Sequence, residues 1–369
     1  MRVLQAVTLV SPDGAYGGPT RVAINQCVAL KELGHDVTLL AGSRGYTSPP
    51  TQIMGVETHL FPVAQIVPGA GFAGIWSPQS IAWLRGHHHR FDVVHAHLAR
   101  DLVTMPLAAI SLAREKPLYV QTHGMIDESN NPLARTLDAA LTKRLLRRAE
   151  RVFYLTEKER SSLLEVGGTN LRVQHLINGV PQGGHYASPS KTEVLFLARL
   201  HPRKRALDFV RAAQHLAPIF PEVQWRLVGP DEGDGEEVRK LLAQSTADIH
   251  WEGPLSPEET EDRLARASIY CLPSLDEPFP MTVLEAMSIA VPVLVTESCG
   301  LSETITNSGA GRVTDGTLSG LIYHLEHMLD DPGRLRNMGQ RARTTVDQHF
   351  TMRNIADSLV SAYRSSQSR

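Results

Sequence analysis

A chain of 369 residues is longer than one ordinary hydrophobic core supports, and with 42% hydrophobic residues it predicts two globular domains. Its 37 lysines and arginines against 39 aspartates and glutamates argue against a general binder of nucleic acid or other polyanions. No apolar stretch reaches the roughly 18 residues of a membrane span. Three cysteines without a CxxC pair indicate reduced thiols in a cytoplasmic protein. The apolar run that opens the chain stops at Ser11 and predicts a buried strand rather than a signal peptide.

Short β-rich runs alternate with amphipathic segments in the first half of the chain. The predicted strands are residues 2–10, 36–41, 92–96, 117–121 and 151–155. The first predicted helix covers residues 20–33 and ends at a Leu33-Gly34 C-cap. This alternation is typical of βαβ units, in which helices cover both faces of a parallel sheet.

The same pattern restarts after residues 177–190, whose glycine, proline and serine content predicts a linker. Further strands are predicted at residues 193–198, 223–229, 248–251, 268–272 and 292–296. The predicted fold class is therefore α/β, with two doubly wound, Rossmann-like domains facing each other across a cleft. The first domain covers residues 1–180 and the second residues 181–350.

Residues 10–24 combine a strand end, a glycine-rich turn and a helix start that has Pro19 in its first turn. Gly17 and Gly18 let the backbone approach a ligand closely, and the free N–H groups of the helix start favour an anion. A tight turn without a ligand is the alternative. One glycine suffices for such a turn, so the pair favours a phosphate or sugar neighbour.

Arg199 and Lys204 directly follow a predicted strand of the second domain and flank a proline-containing turn. Ligands of parallel sheets bind beyond the carboxyl ends of the strands, so two cations at this place suit a diphosphate. A solvated basic turn explains this segment, taken alone, equally well.

Residues 275–287, LDEPFPMTVLEAM, place Glu277 and Glu285 on either side of a loop and a helix start. Thr282 and Glu285 have the spacing of a capping box, which gives Glu285 a structural explanation. The helix start also predicts an anion-binding segment, which comprises Phe279, Pro280, Met281, Thr282 and Val283.

A glycosidase pair is a second explanation for the two glutamates. Such carboxyl groups lie about 5–5.5 or 6.5–9.5 Å apart, whereas eight helical positions span about 12 Å. Two carboxylates that bind two parts of one long ligand fit the spacing better. Vicinal hydroxyls of ribose and of a hexose are the obvious candidates.

Histidines follow or occupy two strands of the first domain. His123 comes directly after the strand that ends at Gln121, and a structural and a catalytic role both stay open. His95 and His97 alternate at strand period and face the same side, but no third ligand is spaced to complete a zinc site. The chain also has no Asp-x-Asp pair, the commonest handle for nucleotide-bound Mg²⁺ or Mn²⁺.

Two segments carry weaker signals. Residues 69–74 match G-x-G-x-x-G, but no long helix follows, so they predict a loop instead of a dinucleotide fingerprint. Residues 141–151 predict an amphipathic helix with five basic side chains. A solvated face is the default for that helix, and a dock for anionic lipid or an acidic acceptor is the alternative.

The motifs together resemble the retaining, nucleotide-sugar-dependent glycosyltransferases of glycosyltransferase family four, which have the GT-B fold. The resemblance covers nearly the whole chain. It is carried, in order, by YGGPTRVA, ELGHDVTLLAG, DVVHAHL, THGM, RVFYLTEKE, INGV, ARLHPRK, LVGP, EPFPMTVLE and PVLVTESCGLSE. The most specific part is the Glu-x7-Glu segment preceded by Arg-Leu-x3-Lys.

The resemblance implies a role for each matching residue. Glu277 would bind the donor hexose near the reacting centre, and Glu285 the ribose. Arg199 and Lys204 would hold the diphosphate and stabilise it as the leaving group, with the amides of residues 279–283 and of Gly17-Gly18 completing the cradle. His123 would contact the transferred sugar. The family commonly has glycine after the lysine, where this chain has Arg205, and Asp276 and Met281 lie where the motif varies.

The resemblance also implies the chemistry and the partners. The expected enzyme moves a hexose or N-acetylhexosamine, without a metal and with retention, from a UDP- or GDP-linked sugar to a glycan, lipid-linked or small-molecule acceptor. Residues 351–369 would form a helix that packs back on the first domain. A sugar-nucleotide hydrolase or epimerase, and a non-catalytic nucleotide-sugar binder, are the rival interpretations. The expected location is the cytoplasm, with peripheral membrane contact through residues 141–151.

Overall fold

The computed structural model describes residues 1–12, 17–67, 69, 71–127, 132–181, 184 and 191–367. The chain divides into two compact units. Unit 1 comprises Met1–Gly179 and Met352–Arg369, and unit 2 comprises Val180–Thr351. No helix among the described residues combines the length and apolar character needed to cross a membrane.

Strands and helices alternate in unit 1. Its strands are β1 Arg2–Val10, β2 Asp36–Ser43, β3 Gln52–Ile53, β4 Val56–Pro62, β5 Ala64–Gln65, β6 Ile75–Trp76, β7 Val93–His97, β8 Leu118–Gln121, β9 Arg151–Tyr154 and β10 Val173–His175. Its helices up to the linker are α1 Gly17–Glu32, α2 Pro78–His87, α3 Thr104–Ala113, α4 Pro132–Leu137, α5 Lys143–Arg148 and α6 Glu157–Gly167. A π-helical turn, Asp138–Thr142, joins α4 to α5.

One sheet in the described part of unit 1 has the order β10-β9-β8-β7-β1-β2-β4-β3, and its pairs are parallel except for the β3–β4 hairpin. Alternate residues of β1 belong to different cores. Leu4 packs in a cluster with residues of α3, α5 and α6, whereas Val3 packs in a cluster with residues of α1 and the C-terminal helix. Both faces of β1 are therefore covered, which explains its continuous apolar sequence.

Unit 2 repeats the alternation. Its strands are β11 Glu193–Leu197, β12 Gln224–Val228, β13 Ile249–Trp251, β14 Ile269–Leu272, β15 Val293–Thr296 and β16 Gly311–Thr314. Its helices are α7 Ala206–Leu216, α8 Gly235–Ala243, α9 Thr260–Leu264, α10 Met281–Ser288, α11 Ser302–Ser308, α12 Leu318–Leu329 and α13 Pro332–His349. Within the described residues its sheet is parallel, in the order β13-β12-β11-β14-β15-β16.

The strand order of unit 2 reverses between β11 and β14, which makes this point the topological switch of the sheet. The loops after these two strands meet at the carboxyl edge, where ligands of open α/β sheets bind. They contain Lys204 and Glu277 respectively.

The last helix, α14 Met352–Gln367, belongs to unit 1. Its buried residues Leu359 and Tyr363 lie in the same core cluster as Val3 and Leu30. The hydroxyl of Tyr119 on β8 donates to the carbonyl oxygen of Ala362 at 3.0 Å. The helix is thus fixed to the sheet of unit 1 by apolar packing and a buried hydrogen bond.

The sequence-based prediction of the α/β fold class is confirmed, and each predicted strand is present with ends shifted by at most two residues. The helix α1 ends in a Schellman motif at the predicted place, with Gly34 at φ 82° and the amide of His35 donating to the carbonyl of Leu30 at 3.1 Å. The helix predicted over 141–151 is wrong at its end, because α5 stops at Arg148 and Arg151 begins β9. The prediction also missed β3, β4, β5, β6, β10 and β16.

Candidate active site

A short turn after β11 positions Lys204. The turn is a 3₁₀ helix, Pro202–Lys204, and the ring of His201 caps it by accepting the amide N–H of Arg203 at 3.2 Å. Proline suits the first position because its missing N–H would have no partner there. The amide of Lys204 donates to the carbonyl of His201 at 2.7 Å, which closes the turn.

Arg205 ends this turn in the left-handed conformation, with φ 59° and ψ 42°. The family that the chain resembles commonly has glycine at this position. The backbone of Arg205 adopts the same glycine-type conformation despite its side chain. Left-handed backbone costs a non-glycine residue about 1–2 kcal/mol. The guanidinium offsets part of this cost, because Nε donates to Asp208 at 2.6 Å and Nη1 donates to the carbonyl of Gly316.

The loop after β14 positions Glu277. Asp276 has a left-handed φ of 49°, and its amide donates to the hydroxyl of Ser298 at 2.9 Å. The amide of Gly300 donates to the carbonyl of Glu277 at 2.8 Å, and the amide of Leu275 donates to the carbonyl of Arg203 at 3.0 Å. Backbone hydrogen bonds therefore link this loop both to the turn of Lys204 and to the segment after β15.

Lys204 and Glu277, 73 positions apart, form an ion pair in which Nζ donates to Oε2. Both side chains are only 12% exposed, and the guanidinium of Arg203 lies 3.9 Å from the same carboxylate oxygen. Burial lowers the pKa of the Lys204 ammonium below its usual value, although Glu277 acts in the opposite direction. Burial also raises the pKa of the neighbouring Cys299 thiol to about 12, so that thiol is neutral. The result is a shielded charge pair at the switch point.

The helix α10 begins beside this pair, but not as a capping box. It starts at Met281 with Pro280 as N-cap and without a side-chain cap, so Thr282 lies inside the first turn. The capping box predicted for Thr282 and Glu285 is therefore wrong. The hydroxyl of Thr282 accepts a hydrogen bond from the buried Tyr270 hydroxyl at 2.8 Å instead, and the amide of Val283 donates to the carbonyl of Pro280 at 3.2 Å.

The two glutamates both lie within electrostatic reach of Tyr270 on β14. Burial raises the pKa of its phenol, and the charges of Glu277 and Glu285 raise it further. Glu285 is half-buried on α10. A buried, neutral tyrosine thus lies near both carboxylates, a feature that the sequence analysis missed.

Arg199 does not join the Lys204–Glu277 pair. Its guanidinium contacts Glu232 at 2.6 Å and is 47% exposed, so solvent screens this pair strongly. Phe279 is half-buried in the loop before α10, and its ring lies 6.3 Å from that of Phe350. Arg203, Ser298 and Gly300 were missed as parts of the site, although all three stand inside motifs quoted for the family resemblance or next to them.

The predicted glycine loop of unit 1 is described only in part, because residues 13–16 lie outside the described residues. The helix α1 opens at Gly17, so Pro19 falls in its first turn as predicted. An added Cβ at Gly18 would meet no heavy atom within 4 Å, so close packing with the described residues does not require glycine there. The predicted ligand role of this pair stays a prediction.

His123 stands in a strained turn directly after β8. His123 has φ 53° and Gly124 has φ 73°. The carboxylate of buried Glu159 fixes this turn, since it accepts from the hydroxyl of Thr122 and the amides of Gly124 and Leu155, each at 2.6 Å. The ring of His123 hydrogen-bonds His97 at 2.7 Å, and burial lowers the pKa of His123 to about 3. The imidazole is therefore neutral at physiological pH.

The G-x-G-x-x-G match is not followed by a long helix, since Gly71–Gly74 forms a 3₁₀ turn that leads into β6. Among the described residues, no group of three or more histidines, cysteines, aspartates or glutamates is arranged to hold a metal ion. His95 forms a hydrogen bond with Tyr363, and His97 forms one with Gln5.

Two family descriptions match the two halves of the chain. Residues 17–179 match "Glycosyl transferase 4-like domain", and residues 185–345 match "Glycosyl transferases group 1". The chain belongs to the family-four type of glycosyltransferases. It is accordingly an enzyme of glycosyl transfer, as the resemblance implied.

Solved structures with the same architecture confirm the GT-B fold for this glycosyltransferase. Sucrose-phosphate synthase from Thermosynechococcus elongatus superposes with a TM-score of 0.78 at 17% identity, over 100% of both chains. Anabaena Alr3699/HepE, in complex with UDP and glucose, superposes with a TM-score of 0.76 at 19% identity, over 99% of this chain and 100% of that one.

The relatives found by sequence differ from one another in name and in the share of their length that is matched. D-inositol 3-phosphate glycosyltransferase of Rhodococcus erythropolis is 23% identical over 78% of this chain and 66% of its own length. The glycogen synthase of Mycobacterium tuberculosis is 23% identical over 98% of this chain and 94% of its own. The similarity to relatives with such different names indicates the reaction class rather than one substrate.

Proposed function

We propose that this glycosyltransferase moves a hexose or N-acetylhexosamine from a UDP- or GDP-linked sugar to a hydroxyl group, with retention of configuration and without a metal. The observation that carries the proposal is the shielded Lys204–Glu277 pair at the switch point of unit 2. An ammonium and a carboxylate side by side at a sheet edge favour a ligand that has both an anionic and a hydroxyl-bearing part. HepE, which has the same fold, was crystallised with UDP and glucose.

Each residue of the pair has a separate task in the proposed reaction. Lys204 exchanges part of its contact with Glu277 for a phosphate oxygen, and its positive charge stabilises the departing diphosphate. Glu277 then accepts hydrogen bonds from hydroxyls of the donor sugar. Arg199 releases its exposed pair with Glu232 to bind the same diphosphate, and Glu285 accepts the ribose hydroxyls.

The proposed transfer conserves atoms and charge. The acceptor hydroxyl oxygen bonds to the anomeric carbon while the bond from that carbon to the phosphate oxygen breaks. The electron pair leaves with the nucleoside diphosphate, and the hydroxyl proton passes to a phosphate oxygen of the leaving group. Attack and departure on one face of the sugar retain the configuration. In this scheme Lys204 and Arg199 supply the positive charge that a metal supplies in other transferases.

A release assay tests the proposal. UDP- and GDP-linked glucose, mannose and their N-acetylhexosamine analogues are incubated with the protein and EDTA, with and without simple glycoside acceptors. Acceptor-dependent release of nucleoside diphosphate, together with retained anomeric configuration in the product by proton NMR, supports the proposal. Release without any acceptor favours a hydrolase, and loss of activity with EDTA contradicts metal independence.

We also propose peripheral contact with an anionic membrane through residues 141–151. The helix α5 exposes Lys143, Arg144, Arg147 and Arg148, whereas Leu145 and Leu146 are buried in the core. The contact would therefore be electrostatic, at about 1 kcal/mol per basic residue. Sedimentation with vesicles of anionic lipid, but not of neutral lipid, supports it if raised salt releases the protein. Equal sedimentation with both vesicles contradicts it.

A further inference from the structure

A row of hydrogen-bonded polar side chains runs through the core of unit 1, and His123 stands at one end of it. We call it the amide–imidazole chain, and its members are His123, His97, Gln5, Gln26, Gln121 and Asn178. Five of these side chains, all except His123, are nearly inaccessible to solvent. Core residues of a parallel sheet are normally apolar, so a continuous polar row needs an explanation.

The amide–imidazole chain is hydrogen-bonded without a break from His123 to Asn178. His123 Nε2 lies 2.7 Å from His97 Nδ1, and His97 Nε2 contacts Gln5 Oε1. The amide of Gln5 donates to Gln26 at 3.3 Å, that of Gln26 to Gln121 at 2.9 Å, and that of Gln121 to Asn178 at 3.1 Å. Each of the three glutamines thus accepts through its oxygen and donates through its nitrogen.

This common direction determines where the protons of both rings lie. A glutamine oxygen only accepts hydrogen bonds, so Nε2 of His97 carries a proton. In a neutral ring the other nitrogen is then bare, and Nδ1 of His97 accepts. His123 must therefore donate from Nε2, which leaves its own Nδ1 as a lone-pair acceptor.

Burial keeps the rings of His97 and His123 in the neutral form. It lowers the pKa of His97 well below its usual value and that of His123 to about 3. The two rings are nearly coplanar, with centroids 5.0 Å apart and an interplanar angle of 6°, as an in-plane hydrogen bond between Nε2 and Nδ1 requires. None of the hydrogen bonds between described residues involves Nδ1 of His123.

We propose that Gln5 and His97 are positioning residues that hold His123 as the Nε2–H tautomer and present its Nδ1 to accept a hydrogen bond from a hydroxyl of the transferred sugar. The part that concerns the sugar rests on the proposed function. The part that concerns the tautomer rests only on the hydrogen-bond geometry. Glu159 fixes the backbone of the same turn, so backbone and ring orientation are set by separate groups.

The tautomer is tested on the full-length wild-type protein without any substrate. Histidine is labelled with ¹⁵N, and the signal of His123 is assigned by its loss in His123→Asn. A protonated Nε2 and an unprotonated Nδ1, both unchanged between pH 6 and 8, are the expected result. A protonated Nδ1 on His123 overturns the proposal, because the hydrogen bonds of the amide–imidazole chain would then be donated in the opposite direction.

Variants test the positioning role. Gln5→Leu removes the acceptor of His97, so we expect mixed tautomers at His123 and a kcat lower by a factor of about 2–10, with the affinity for the nucleoside diphosphate unchanged. Gln5→Glu keeps an oxygen acceptor and should restore the tautomer and most of kcat. Tyr363→Phe is the matched control, because it removes the bond to His95 at 2.7 Å but leaves the amide–imidazole chain intact.

The outcomes separate this inference from the proposed function. A wild-type tautomer as expected, in a protein that transfers no sugar, rejects the proposed function and leaves the tautomer assignment standing. The positioning role is rejected if the wild type transfers sugar with the expected tautomer, and Gln5→Leu keeps the wild-type kcat although its His123 is a mixture of tautomers. Equal losses in Gln5→Leu and Tyr363→Phe also reject it, since they would reflect general damage to the core.

Discussion

The two units prepare their candidate ligand groups in opposite ways. In unit 2, Lys204 and Glu277 keep full charges in a shielded place and satisfy each other. In unit 1, His123 is held neutral, and uncharged amides determine which nitrogen carries its proton. An ion pair can be opened by a ligand that offers charge and hydroxyls of its own, whereas a neutral row of hydrogen bonds keeps its direction when a ligand arrives. The first arrangement suits binding of a charged donor, and the second suits orientation of a hydroxyl.

The largest effect is expected from Glu277→Gln. The amide keeps the size of the side chain but loses the charge that accepts sugar hydroxyls, so kcat should fall about 10²–10³-fold. The affinity for the nucleoside diphosphate should stay largely intact. Transfer rates and calorimetric titration measure the two quantities separately.

Glu236→Gln is the matched control for that change, because Glu236 also pairs with a lysine, at 3.0 Å, but is 80% exposed. It should leave transfer at the wild-type rate. Wild-type turnover in Glu277→Gln would contradict the role assigned to Glu277.

The next effect concerns the stability of unit 2. Lys204→Met leaves a shielded carboxylate whose remaining cationic partner among the described residues is Arg203 at 3.9 Å, so the free energy of unfolding should fall by about 2–3 kcal/mol. Glu277→Leu alone should cost a similar amount, and the double variant should cost less than the sum. Urea unfolding of the four proteins gives the coupling energy, and additive losses would show that the pair is not coupled.

The neutral rings of unit 1 should make stability fall in acid. His95 and His123 have pKa values of about 3 in the fold, below the usual 6.5, so the unfolded chain binds more protons between these values. Stability is then lost as the pH falls through 6.5, by about 2 kcal/mol per ring between pH 7 and pH 5. His95→Phe keeps a stacked ring that does not titrate. Between pH 7 and pH 5 the free energy of unfolding of His95→Phe should therefore fall by about 2 kcal/mol less than that of the wild type. Equal losses would contradict the neutral state assigned to His95.

The smallest effect is expected at Arg205, in the turn of Lys204. Two variants there separate the cost of the left-handed backbone from the contribution of the side-chain hydrogen bonds. Arg205→Gly removes the left-handed strain together with the bonds to Asp208 and Gly316, so its net effect on stability should lie near zero. Arg205→Ala loses the same bonds and keeps the strain, and it should be less stable than Arg205→Gly by about 1 kcal/mol. Thermal unfolding of the two variants measures the difference. A more stable alanine variant would show that the strain is absent.

Patterns of local sequence were enough to predict the long inner strands of both sheets, because parallel strands covered on both faces have continuous apolar sequences, as in β1. The order of Arg199, Lys204, Glu277 and Glu285 along the chain indicated the reaction class, but not which of them touch. Lys204 meets Glu277 and Arg199 meets Glu232 because of the turn geometry after β11, which no spacing rule contains. The capping box failed because the N-cap of α10 is Pro280, two residues before Thr282. The amide–imidazole chain was not foreseeable, since Gln5, Gln26 and His97 are distant in sequence and each alone resembles an ordinary polar residue.

In the proposed site, Lys204, held in place by its pair with Glu277, binds a nucleoside diphosphate without a metal. The most direct test is calorimetric titration of UDP, GDP, ADP and dTDP into the wild-type protein and Lys204→Met, with and without EDTA. We expect one nucleotide to bind with the same Kd in EDTA, and Lys204→Met to weaken this binding by a factor of about 10–100. Binding of none, binding abolished by EDTA, or equal affinity in Lys204→Met would contradict it.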